Sequence, residues 1–234
     1  MLQPSRVKDY CKSSPSRGKS DPNDARDIAS YLAAFKDRLH PWNPMPAFED
    51  KLRKLYRKRE GLADHLASLR KLLHALGDTP FQVNQTLKKL DERVAKLTEQ
   101  IQAMLEQVED TKFLASIPAV KTNLIAACLP ALRTIPFKDK YAFDSYAGID
   151  LKMNESGKFK GRRHMSHQGD PHIRRAVFMS GLTGTTCKVW KPYYDMLLKE
   201  KKLAKVEAIT VLGRKILHTV FGVYQTKTMF IAPD

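Results

Sequence analysis

Cysteine is scarce in this chain. Three residues in 234, Cys11, Cys128 and Cys187, lie far apart and form no Cys-x-x-Cys pair. A zinc ribbon and a disulfide framework are therefore excluded, and a reducing, cytoplasmic setting is expected. Long apolar runs are also missing. The opening carries Arg6, Lys8 and Lys12 with no apolar stretch behind them. Neither a secretory leader nor a membrane span is expected. Acidic residues are few, 25 against 41 Lys plus Arg, which leaves a formal charge of +16. The 42% hydrophobic share is that of a globular protein, so the excess charge calls for a polyanionic partner. Nucleic acid comes first and an anionic membrane surface second. The length suffices for one large domain or two small ones.

The texture changes along the chain. Residues 1–20 are basic and rich in Ser and Pro, and read as loop or extended chain. Residues 24–39 (DARDIASYLAAFKDRL) space Ile28, Leu32, Phe35 and Leu39 as one helical face. The stretch HPWNPMP, 40–46, holds three prolines and marks a boundary. Phe48, Leu52, Leu55, Leu62, Leu66, Leu69, Leu73 and Leu76 then follow alternating steps of four and three, with Arg59 in the one polar slot. After GDTP (77–80) the rule returns at Leu87, Leu90, Val94, Leu97, Ile101, Met104 and Val108. Two such blocks with a short turn between them predict an antiparallel coiled-coil hairpin. Its seam serves as a spacer or pairs with a second copy. The narrow seams, without a broad apolar face, argue against a membrane-surface protein.

Beyond residue 110 the sequence predicts an apolar helix, a turn and a second apolar helix over 113–132, in the manner of a helix-hairpin-helix. The turn, Pro118-Ala119-Val120-Lys121, lacks the glycine that brings backbone N–H groups close to phosphate. Residues 141–170 read as loop-rich. Helical segments at 170–186, 189–202 and 205–222 close a bundle in which Trp190, Tyr193 and Tyr194 are expected in the core. The fold class is mainly α.

Two stretches could carry chemistry. In KSDPNDARDIA, 19–29, Asp21 suits an N-cap, Pro22 the first helical position and Asp24 the N3 position. The same spacing points both carboxylates from one helix face, as a hard cation requires. The second stretch holds Lys152, Lys158, Lys160, Arg162, Arg163, Arg174 and Arg175 around Gly157, Gly161 and Gly169. A cationic, glycine-containing segment opening into a helix suits a phosphate backbone. Ser156 lies inside it and is either a turn serine or an activated nucleophile. His164, His167 and His172 have cationic neighbours, which argues against a bound cation.

In order, QPSRVKDY, KSDPNDA, the hairpin, SIPAVK, FDSYAGI, ESGKFKG and SHQGDPHIRRAVF resemble the DEDD insertion-sequence transposases, the family often called IS-one-ten. The family pattern is Lys-Thr-Asp, two residues, Asp-Ala, then Ser-Gly-Lys, then Gly-Asn, two residues, Arg. The resemblance spans nearly the whole chain. It implies a RuvC-like nuclease domain with four acidic Mg²⁺ ligands, a coiled-coil insertion and a helical domain with a nucleophilic serine. It further implies an oligomer that acts on element ends and target DNA, in some members guided by a structured RNA, within a prokaryotic nucleoid. Carried over by motif, Asp21 and Asp24 are metal ligands, Ser156 is the nucleophile, and Lys158 and Arg174 contact phosphate.

The expected division is 1–45 for the RuvC-like remnant, 46–110 for the hairpin and 111–234 for the helical transposase domain. Three departures stand out. Ser20 replaces a threonine and Asp170 an asparagine, and Ala119 stands where the family has glycine. The sequence also starts about 90–100 residues into the family pattern, without the first Asp and the Glu of the acidic set, so most of one domain's expected length is absent. The alternative expectation is accordingly a non-catalytic protein that binds DNA or RNA.

Overall fold

The structure, a computed structural model, describes residues 4–13, 20–38, 43–77, 81–152, 155–156, 159–160 and 164–232. It is mainly α, as expected: among the described residues strands occur only as four two-residue pieces. The chain divides into two units, Met1–Met45 and Pro46–Asp234.

In the first unit, α1 (Pro4–Ser13) pairs with α2 (Asp21–Phe35), and a 3-10 turn follows at Lys36–Arg38. Helix α1 corrects the reading of residues 1–20 as loop or extended chain. Pro4 opens it, where a missing N–H costs nothing. Tyr10 supplies its apolar anchor, edge-on to Tyr31 at 5.4 Å and to Phe35 at 6.0 Å between ring centres. Helix α2 begins one residue earlier than expected. Ser20 takes the extended N-cap conformation without a side-chain cap bond, and the Asp24 N–H donates to Ser20 O at 2.9 Å. Asp21 and Asp24 thus sit at N1 and N4. The buried edge of α2 is Asp27 and Tyr31, while Ile28 and Leu32 stay exposed at 40% and 41%. The cause is geometric: α1 covers the edge that carries the aromatic rings. Leu39 lies outside the described residues.

The second unit opens with α3 (Ala47–Ala75) and α4 (Phe81–Glu106), packed side by side. Cross-contacts run antiparallel: Arg59 Nε donates to Thr98 Oγ1 at 3.4 Å, and Arg70 pairs with Asp91. Leu52, Leu66, Leu87, Leu97 and Ile101 are buried as the seven-residue pattern predicts. Leu76 departs from it, 68% exposed at the end of α3. The root of α3 has a second buried edge, Glu49, Tyr56 and Glu60, because α6 and α8 pack there.

Helices α5 (Asp110–Ala115) and α6 (Thr122–Thr134) flank the predicted turn. Helix α6 is apolar almost all round and is accordingly buried from Leu124 to Leu132 on most sides. The stretch 141–170, expected to be loop-rich, opens on a helix. Lys140–Ala147 forms α7, capped at its start by Asp139, whose carboxylate accepts the N–H groups of Tyr141 and Ala142, and ended by Gly148 at φ +71°. Helices α8 (Pro171–Gly184), α9 (Lys191–Lys199) and α10 (Lys205–Thr226) complete the bundle near the predicted spans. Helices α8 and α10 cross at glycines. A Cβ on Gly181 would lie 2.4 Å from Ile209 O, and one on Gly213 would lie 2.6 Å from Val177 O.

Candidate nucleic-acid interface

Between α7 and α8 the chain runs out and back as an antiparallel arm. Strand β1 (Leu151–Lys152) pairs with β4 (His164–Met165), and β2 (Glu155–Ser156) pairs with β3 (Phe159–Lys160). Ser156 faces Phe159 across the ladder, so residues 157–158 alone join the two inner strands. The candidate nucleophile therefore lies at the last paired position before the tip. Lys158, Arg162 and Arg163 lie outside the described residues, while Lys160 pairs with Glu155 in the inner ladder.

The arm has a built root. Ser166 N–H donates to Asp150 O at 2.8 Å, and its hydroxyl also bonds the Asp150 carboxylate. Gly148 and Gly169 touch backbone to backbone. A Cβ on Gly169 would come within 2.3 Å of Gly148 N, so both positions require glycine for this approach. Asp170 N–H donates to Tyr146 O at 2.8 Å, and its carboxylate accepts the His172 N–H at 2.9 Å, capping α8. Its second oxygen meets Arg57 of α3 at 2.7 Å. The family asparagine could make the cap but not this ion pair.

Arg174 and Arg175, expected on phosphate, have contacts within the protein. One Arg174 guanidinium nitrogen donates to Ala147 O at 3.2 Å. Arg175 reaches α3, bonding Asp64 and lying 3.4 Å from Glu60. That hydrogen bond holds the Asp64 carboxyl below its usual range and raises Arg175 above its own. Burial, and then the Glu60 charge, pushes the Tyr56 hydroxyl upward. Burial also pushes up the Cys128 thiol, which makes it an inert core residue. Arg174 and Arg175 also border a pocket of about 290 Å³, with Met165, His167, Phe178 and Thr210 among its walls.

The turn at 118–121 is held from inside. Trp190 Nε1 donates to Pro118 O and Ser180 Oγ to Ala119 O, each at 2.7 Å. The Val120 N–H bonds Ile117 O at 3.1 Å. Ala119 takes φ +70°, the left-handed conformation that glycine adopts without strain.

Asp21 and Asp24 are both exposed in the first turn of α2. Two exposed carboxylates three residues apart on one helix face would supply two oxygen ligands to a hard cation, with water or phosphate needed for the rest. Among the described residues no group of three or more His, Cys, Asp and Glu is placed to hold a metal ion. His164 is exposed on β4, His167 walls the pocket and His172 lies in the first turn of α8.

One polar cluster escapes the sequence reading. Asp144 of α7 is fully buried, and one of its oxygens meets Arg214 Nε at 2.8 Å and His218 Nε2 at 2.7 Å, both on α10. The available signals were a carboxylate at a core position of an amphipathic stretch and two basic residues four apart on the last helix.

No helix among the described residues is long and apolar enough to cross a membrane. No curated protein matches the chain. Residues 111–195, from α5 through the arm and α8 into α9, match the model of the family described as "Transposase IS116/IS110/IS902 family", and this similarity supports an insertion-sequence transposase.

Proposed function

We propose that this chain acts on DNA as an insertion-sequence transposase or site-specific recombinase through Ser156. The observation that carries the reading is that the matched stretch includes the paired strands β1–β4, with Ser156 in β2 and the cationic residues Lys158, Lys160, Arg162 and Arg163 within seven positions of it in the sequence. In the proposed step the Ser156 hydroxyl loses its proton and attacks a backbone phosphorus. The bond from phosphorus to a deoxyribose oxygen breaks, that oxygen takes up a proton, and a serine phosphodiester remains. Attack by another strand's hydroxyl reverses the step and joins new ends. Lys158, Lys160, Arg162 and Arg163 would neutralise the phosphates on either side. Asp21 and Asp24 would hold Mg²⁺, which when bound supplies charge neutralisation at the reacting phosphate.

Assembly through the hairpin, and a structured RNA of the element as a second nucleic acid, belong to the same proposal. The exposed Leu72 and Leu76 near the end of α3 support contact with a second copy. The second reading is binding of DNA or RNA without strand chemistry. It is favoured by the formal charge of +16, which accounts for binding to a polyanion without any strand chemistry.

The test uses a supercoiled plasmid carrying the element's ends, with Mg²⁺. The wild-type protein is expected to form a detergent-resistant adduct, and Ser156→Ala to lose it while still retaining plasmid on a filter. An adduct that persists in Ser156→Ala removes the serine assignment. Retention without any wild-type adduct favours the second reading.

A further inference from the structure

We infer that the face shared by α7 and α10, around Tyr141, Arg214 and His218, is a second strand-binding site. It would take a nucleic-acid strand as it leaves the root of the arm. This deepens the proposal above and rests on it in one respect, that the protein binds nucleic acid.

The first observation is the cost of Asp144. Its side chain is 1% exposed between two helices. A buried carboxylate is unfavourable unless it is paired, and one oxygen, Oδ1, has no partner in the protein. The paired oxygen orients two side chains at once. Because Arg214 approaches through Nε, its terminal amino groups are left for another acceptor, and the side chain is 30% exposed. A guanidinium fixed at one edge presents a preformed fork to a phosphate. The carboxylate beneath it stays out of contact with solvent.

The second observation is an aromatic ring in the open. Tyr141 is 57% exposed, and its ring stands edge-on to the His218 ring at 5.7 Å. Lys140 Nζ lies 5.2 Å from the centre of the same ring. A half-exposed ring with a lysine beside it is the pattern on which bases stack while the backbone is neutralised nearby. Asp139, the nearest acid in sequence, is turned into the N–H groups of Tyr141 and Ala142.

The third observation is continuity. Thr210, Arg214 and His218 are spaced by four on α10 and share one face. Thr210 walls the pocket that Met165, at the root of the arm, also walls. From Thr210 to His218 the helix rises about 12 Å, roughly the reach of two to four nucleotides. The face therefore leads from the arm's root to the start of α7.

A strut that only ties α7 to α10 would explain Asp144 but not Tyr141. The test measures fluorescence anisotropy of the full chain with fluorescein-labelled twelve-nucleotide oligo-dT and oligo-U, at several salt concentrations. Tyr141→Ala is expected to weaken binding about five-fold or more with an unchanged salt slope, because stacking releases no counterion. Arg214→Gln is expected to weaken binding and to flatten the slope by about 0.7, one phosphate contact on a single strand. Thermal unfolding checks that each variant folds. If Arg214→Gln does not fold, Tyr141→Ala decides, since its ring is mostly in solvent. Wild-type binding with both variants within two-fold overturns this site and leaves the proposed function standing. No wild-type binding to either probe, or to the plasmid, overturns both.

Discussion

Arg57 of α3 and Asp170 at the head of α8 meet at 2.7 Å. The pair joins the hairpin to the root of the arm, and it exists because this chain has an aspartate where the family pattern has asparagine. Asp170 also caps α8 through the His172 N–H.

Asp170→Asn separates these roles. Asparagine caps as well as aspartate, and Arg57 is 42% exposed, so the ion pair is screened. Stability is expected to fall by less than about 1 kcal/mol. Arg57 is then free for phosphate, and the slope of log affinity against log salt for duplex DNA should steepen by about one. An unchanged slope would place Arg57 away from the bound DNA. Chemical denaturation and a salt titration give the two numbers.

Ala119 offers a gain. Its left-handed φ of +70° is imposed by a turn whose carbonyls are held by Trp190 and Ser180. Ala119→Gly relieves the Cβ conflict and should stabilise the protein by about 1 kcal/mol, partly offset by the freer unfolded chain. Ala119→Val should do the reverse and by more. Urea midpoints at constant slope measure both.

The distribution of what the sequence discloses has a physical pattern. Leu52, Leu66, Leu87, Leu97 and Ile101 are legible because regular burial leaves a one-dimensional period. Helix α7 was knowable from Asp139 and Gly148 as its caps, but the loop reading followed the glycines and lysines downstream. Helix α1 has only a short apolar period, Val7, Tyr10 and Cys11, inside a stretch rich in Ser, Pro and basic residues, and its order comes from Tyr10 meeting Tyr31 and Phe35. The Asp144 cluster joins residues 70 and 74 positions apart, a relation that no local window contains. Arg174 and Arg175 were legible as cations, but not as donors to Ala147 and Asp64, because only the fold supplies the acceptor.

The Arg175–Asp64 contact predicts a pH dependence with a definite sign. The hydrogen bond from Arg175 lowers the Asp64 carboxyl below its ordinary 3.8. A carboxyl with a depressed folded value stabilises fully above its unfolded value and loses that contribution as pH falls through the folded one. The contribution should therefore be intact at neutral pH and disappear below about pH 3.8. Asp64→Asn should flatten the stability profile in that acid window and lower stability slightly at pH 7, since both side chains are largely exposed. Denaturation midpoints from pH 7 to pH 2 for wild type and Asp64→Asn check it, and parallel profiles would detach Asp64 from the effect.

The metal assignment can be tested without strand transfer, through Cys11. Burial, then the charge of Asp27, then that of Asp24, raises the Cys11 thiol. Lowering that thiol increases its thiolate fraction and speeds alkylation. A cation held by Asp21 and Asp24 cancels the Asp24 contribution, so Mg²⁺ should accelerate iodoacetamide labelling of Cys11. A Cys187→Ser background removes the other partly exposed thiol, and Cys128 is buried. Asp24→Asn should label faster than wild type without metal and should not respond to Mg²⁺. It should also cost about 0.3–1 kcal/mol as a lost first-turn acid, whether or not a metal binds. The two roles therefore separate in the labelling rate rather than in stability. If wild type and Asp24→Asn respond to Mg²⁺ alike, Asp24 serves the helix start alone, and the cation must be sought on other residues.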